Sequence, residues 1–97
     1  MDRDTALETL KDNLDMINRF GVEAIGLFGS VARSEHSGES DVDVLVRFKK
    51  GEKSFDNYMD LKFFLESVFR LDVDLVIEES LKPRLKNAII MDAVYAS

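Results

Sequence analysis

The chain has 97 residues, 45% of them hydrophobic, with thirteen basic side chains against nineteen acidic ones and a net charge of −6. That is length enough for one domain with one core, and the acidic balance argues against nucleic acid, which is gripped by its phosphates through a basic stripe. The lack of cysteine rules out disulfides and thiolate chemistry, and the single histidine, His36, rules out a histidine-based zinc site.

No apolar run approaches the roughly 20 residues of a membrane span. The start, Met1-Asp2-Arg3-Asp4, does not read as a signal sequence, so a soluble, cytoplasmic protein is expected, with no membrane partner. From Asp4 to Phe20, Leu7, Leu10, Leu14 and Ile17 recur at helical spacing, and Gly21 suits the stop of an amphipathic helix. Residues 22–28 are apolar on both parities, as in a strand covered on both faces. Gly29 to Arg33 turns into a short helix beginning near Ser30, and residues 34–40 form a polar loop.

A second strand runs from Asp41 to Phe48. Val42, Val44, Val46 and Phe48 form its core face, while Asp41, Asp43, Leu45 and Arg47 share the other. Ser54 N-caps a helix from Phe55 to about Arg70, with Tyr58, Leu61, Leu65 and Val68 as its stripe. The third strand, Asp72 to Glu78, repeats the pattern, with Val73, Leu75 and Ile77 on one face and Asp72, Asp74, Val76 and Glu78 on the other. A last helix has Pro83 in its first turn and turns Leu85, Ala88 and Ile89 inward. The order α-β-(α)-β-α-β-α predicts an α/β (α+β) fold: a small mixed sheet with helices mainly on one face.

The chemistry concentrates in Gly29-Ser30 and Ser40-Asp41-Val42-Asp43. Carboxylates at i and i+2 on a strand share a face about 6.5–7 Å apart. They repel unless a cation lies between them, and hard carboxylate oxygens suit such a cation. A Gly-Ser turn offers N–H groups and a hydroxyl to an anion. Metal beside phosphate is the layout of a nucleotide-handling site, and Asp72 or Asp74 could bring a third carboxylate. Each feature also has a plainer reading. Asp41 and Asp43 could line a solvated strand face, and Asp72 and Asp74 a strand end. Ser30 could be an ordinary N-cap, and Arg33 a surface cation. His36 reads as an exposed loop residue. Gly51-Glu52-Lys53-Ser54 lacks the first glycine of a P-loop and is set aside.

Gly29-Ser30, Ala32-Arg33, Ser40-Asp41 and Asp43, with Val73-Asp74-Leu75-Val76 on the next strand, resemble the minimal nucleotidyltransferases of the DNA polymerase β-like superfamily. The closing segment Leu81–Leu85 through Asp92–Tyr95 is similar to that family's last helix. The family usually has Gly-Glu after the Ala-Arg pair, where this chain has Ser34-Glu35, and altered loop geometry is expected there.

The resemblance implies transfer of a nucleoside monophosphate from ATP or another NTP to an acceptor, with release of pyrophosphate. It implies that Asp41 and Asp43 hold two Mg²⁺ ions roughly 3.5–4 Å apart, with Asp74 ligating the second and accepting a proton. Asp72 stays open as the alternative to Asp74. Gly29, Ser30 and Arg33 would bind the nucleotide's phosphates. Members this short resemble antitoxins paired with a HEPN-type ribonuclease toxin, which implies a protein hydroxyl as acceptor, and 97 residues leave no room for a separate acceptor domain. Ile90, Met91, Val94 and Tyr95 give the last helix a second apolar face, a candidate partner surface, with a homo-oligomer contact or simple core packing as the alternatives. The rival readings are a catalytically silent protein that neutralises a toxin by contact, and a transferase acting on a small molecule such as an antibiotic.

Overall fold

The structure, a computed structural model, describes residues 1–34 and 41–97. The expected loop residues Glu35 to Ser40, His36 among them, lie outside the described residues. The first apolar period forms two helices instead of one, α1 (Arg3–Asp12) and α2 (Leu14–Asn18). Asp2 caps α1 by accepting from the Thr5 N–H at 2.8 Å. Asn13 divides the pair: its side-chain amide donates to the Thr9 carbonyl at 2.8 Å, the local competition that makes Asn a poor helix interior. The stripe survives the break, with Leu10 and Ile17 fully buried. Gly21 then leaves the helix at φ +81°.

Strand β1 (Val22–Phe28) runs antiparallel to β2 (Val42–Phe48), which runs parallel to β3 (Val73–Ile77). Between β1 and β2 lies the short helix α3 (Gly29–Ala32), and between β2 and β3 lies α4 (Phe55–Phe69). Ser54 caps α4 through the Asn57 N–H, as its spacing predicts. A 3-10 turn over Glu78–Ser80 leads to α5 (Pro83–Asp92). Val42, Val44, Val46, Ile25, Leu27, Val73 and Leu75 pack with Ala6, Leu10, Ile17, Leu61 and Leu65 into one core. This is the mixed sheet expected from the sequence. The outer edge of β3 is closed by α4: Glu66 accepts from the Val73 N–H at 3.1 Å, and the Tyr58 hydroxyl donates to the Leu75 carbonyl at 2.7 Å. An edge with its polar groups engaged is a poor template for stray strands.

Two readings of the C-terminal region are corrected. The apolar run after α5 is a fourth strand, β4 (Val94–Tyr95), antiparallel to β1, which completes the sheet order β3-β2-β1-β4. Helix α5 buries no residue completely, and Leu85, expected inward, is 56% exposed. Ala88, also expected inward, is exposed, whereas Ile89 is half-covered as expected, together with Lys86 and Ile90, so the helix is rotated from the expected face. Among the described residues no helix is long and apolar enough to cross a membrane.

The side of β1 away from β2 is paired by the chain's own end. A Cβ on Gly26 would lie 2.7 Å from the Val94 carbonyl oxygen and 2.9 Å from Tyr95 Cα, so only glycine lets β4 approach. The Tyr95 hydroxyl reaches Glu78 Oε2 at 3.5 Å, and Glu78 also pairs with Arg47 at 3.4 Å. Substituting Gly26→Ala sets a methyl against backbone and is expected to lower stability by about 1–3 kcal/mol. Urea unfolding monitored by circular dichroism measures this.

Candidate active site

The site grows from the register of three strands. Phe28, the last residue of β1, is opposite Asp43, and Asp43 is opposite Asp74 on β3. Asp41 lies just before β2, two residues from Asp43 and exposed, while Asp43 is half-buried. The Asp43 carboxyl is pushed above the usual carboxylate range by burial first, then by Asp74 and then by Asp41. Arg33 opposes the rise. The four groups expected to meet therefore act on one another electrostatically. Asp72, the alternative third acid, precedes β3 and gives its carbonyl to the Val42 N–H at 3.1 Å. Asp74, not Asp72, is the acid whose charge is felt at Asp43.

Gly29 is required twice over. Its φ is +72°, which a side chain resists, and a Cβ there would overlap the Asp43 Oδ2. The close approach expected towards a phosphate is thus also an approach to the site's own carboxylate. Ser30 is not the helix cap: α3 starts at Gly29, with extended Phe28 at the cap position and no side-chain capping bond. Its hydroxyl lies in the first turn and has no hydrogen-bond partner among the described residues.

Arg33 follows α3 directly, and its Nη1 donates to Asp92 Oδ2 at 2.7 Å. Nothing in the sequence pairs residues so distant. The one available signal was an acid in the last turn of α5, where the helix dipole disfavours negative charge and a nearby cation is needed. Ser34, where a glycine is usual, keeps φ +59°, so at this residue a left-handed conformation is adopted despite the side chain.

Three carboxylates supply hard oxygen donors, which suit a divalent cation of the Mg²⁺ kind. They are close enough to repel, but among the described residues no three acidic or histidine side chains are yet gathered round a common centre.

Residues 6–96 match the nucleotidyltransferase domain family. The chain belongs to that family. It is 40% identical over 81 residues to the protein adenylyltransferase MntA of Thermococcus cleftensis, spanning 84% of this chain and 81% of that protein. A solved structure described as a minimal nucleotidyltransferase superposes with a TM-score of 0.85 at 35% identity, covering 97% of this chain and 95% of that one. The complex of a tri-AMPylated Shewanella oneidensis HEPN toxin with its MNT antitoxin matches with a TM-score of 0.67. That likeness covers 94% of this chain and 71% of the other at 19% identity, so it speaks to the fold alone.

Two outcomes are expected of this nucleotidyltransferase site. A carboxyl whose pKa is raised on folding binds its proton more tightly in the native state. Its charged form therefore opposes folding above that pKa, and the penalty fades as pH falls through it. In metal-free buffer Asp43→Asn should melt higher than the wild type at pH 7, with the gap closing towards pH 4, as calorimetric scans would record. Ser34→Gly should add up to about 1 kcal/mol of stability by removing the left-handed penalty, less the entropy gained by the unfolded chain. Denaturant titration measures that difference.

Proposed function

We propose that the chain moves AMP from ATP to a hydroxyl group of a partner protein, a HEPN-type toxin, with a divalent cation held by Asp41, Asp43 and Asp74. The observation that carries this reading is the alignment of Asp43 with Asp74 beside the glycine turn at Gly29. Support for the acceptor comes from the adenylyltransferase name of the Thermococcus relative and the AMPylated toxin in the Shewanella complex.

Each residue has a task that its chemistry suits. The first N–H groups of α3 and the Ser30 hydroxyl bind the distal phosphates, at the positive end of a short run of peptide dipoles. The Arg33 guanidinium adds fixed positive charge and in-plane donors on the same side. Asp74 takes the proton from the attacking hydroxyl as its oxygen bonds to the α-phosphorus. The bond from that phosphorus to the bridging oxygen breaks, and pyrophosphate leaves with the electron pair. Mg²⁺, when bound, supplies charge that neutralises the phosphates and acidifies the attacking hydroxyl. Asp41, Asp43 and Asp74 would hold it, and their repulsion is the reason they would bind it well.

The test is incubation with α-labelled ATP, Mg²⁺ and the product of the neighbouring gene. Label should appear on that partner, vanish with EDTA, and fall by about 10²-fold or more in Asp41→Asn and in Asp43→Asn, as when preorganised charge is removed from a transfer site. Transfer that survives both substitutions would sink the assignment. Tight partner binding with no label transferred would favour neutralisation by contact.

A further inference from the structure

We infer that Asp92 is a positioning residue that holds the Arg33 guanidinium at the phosphate side of the acid pair. The inference rests on the nucleotidyltransfer reading above and adds a residue from the far end of the chain to it. Arg33 leaves the backbone immediately after α3, the element that begins with Gly29 and Ser30, and its N–H is bonded to the Gly29 carbonyl at 3.1 Å. An arginine there has a long stem with many rotamers, most of which do not direct it at the site. The contact of Nη1 with Asp92 Oδ2, at 2.7 Å, has the length of a strong charge-assisted bond and selects among them.

Stability does not account for the pair. Both side chains are nearly half exposed, a setting in which ion pairs contribute little to folding. Asp92 also sits in the last turn of α5, where the helix dipole opposes a carboxylate. Helix α5 packs against both α3 and β1, so it is a firm base for such a contact. What the pair does change is orientation. A guanidinium carries five N–H donors in one plane, so the bond that Nη1 gives Asp92 fixes the plane in which the rest lie. Asp92 does not touch the nucleotide in this arrangement, and its effect passes through Arg33.

The experiment measures Mg-ATP affinity by titration calorimetry, AMP transfer by steady-state kinetics, and melting temperature. The proteins are wild type, Asp92→Ala, Asp92→Glu, Arg33→Ala and the Arg33→Ala/Asp92→Ala double variant. Asp92→Ala should weaken ATP binding about five- to tenfold and raise KM alike, with kcat nearly unchanged. Its melting temperature should stay within about two degrees of wild type. Arg33→Ala should lose about tenfold or more, and the double variant should be no worse than Arg33→Ala alone. Asp92→Glu should regain part of the affinity.

Unchanged or tighter ATP binding in Asp92→Ala overturns the inference, since Asp92 would then be inert or a competitor for Arg33. Additive losses in the double variant overturn it too. A wild type that binds ATP but labels no partner overturns the proposed acceptor, while the binding data still decide the role of Asp92. A wild type that binds no ATP overturns both readings.

Discussion

Parallel pairing of β2 with β3 sets where the acids of this site can go. Side chains alternate along a strand, so with Asp43 opposite Asp74 both carboxylates rise from one face. A slip of one residue would carry Asp74 into the layer of Leu61 and Leu65 and bring Val73 or Leu75 out beside Asp43. The register is held from the other side of the sheet, where Val42, Val44, Val46, Val73 and Leu75 are buried against the helices. Opposed like charges cost roughly 0.2–1 kcal/mol, whereas each buried Val or Leu contributes about 1.5–3 kcal/mol. The core therefore wins easily, and the sheet can carry a row of acids that its open face would not choose by itself.

The same balance operates in the backbone around α3. This four-residue helix opens on a left-handed residue, Gly29 at φ +72°, and another, Ser34 at φ +59°, follows its C-cap Arg33. A sharp entry and a sharp exit set Gly29 against Asp43 and leave Arg33 where its charge is felt by that carboxyl. At the entry glycine is compelled, because a Cβ would strike the Asp43 carboxylate. At the exit a serine takes the glycine-like conformation, which means the surroundings impose this geometry more firmly than the local residue resists it.

How much could be read beforehand follows from which residues carried their own evidence. Three strands and α4 were legible because a continuous apolar run in β1, valine alternation in β2 and β3, and the Ser54 cap are local signals. Asp41, Asp43 and Asp74 stood out as acids in valine-rich strands, yet which of Asp72 and Asp74 lies opposite Asp43 needed the register, which sequence alone does not supply. The break at Asn13 hid within an unbroken apolar period. Strand β4 was illegible because two residues show no alternation, and what admits them is the missing side chain of Gly26, sixty-eight residues from Val94. The facing of α5 was misread because its apolar residues offer two stripes, Leu85–Ala88–Ile89 and Ile89–Ile90. Only packing against α3 and β1 chooses between them. Asp92 was missed for a similar reason, since its partner lies fifty-nine residues away.

The acid row also explains how a chain of net charge −6 can handle a polyanion. Its own field repels nucleotide at long range, but salt screens exposed charges beyond a Debye length of about 8 Å. What matters is the charge at the site, where burial and two neighbouring carboxylates already burden Asp43. That burden can be lifted in two ways, by a proton or by a cation, and the two compete for the same oxygens. Either would relieve the destabilisation that burial and repulsion together impose on the bare fold. Arg33 cannot serve as that cation, because its reach is shared with Asp92. It relieves Asp43 only in part, so the carboxyl stays burdened by burial and by its two acidic neighbours.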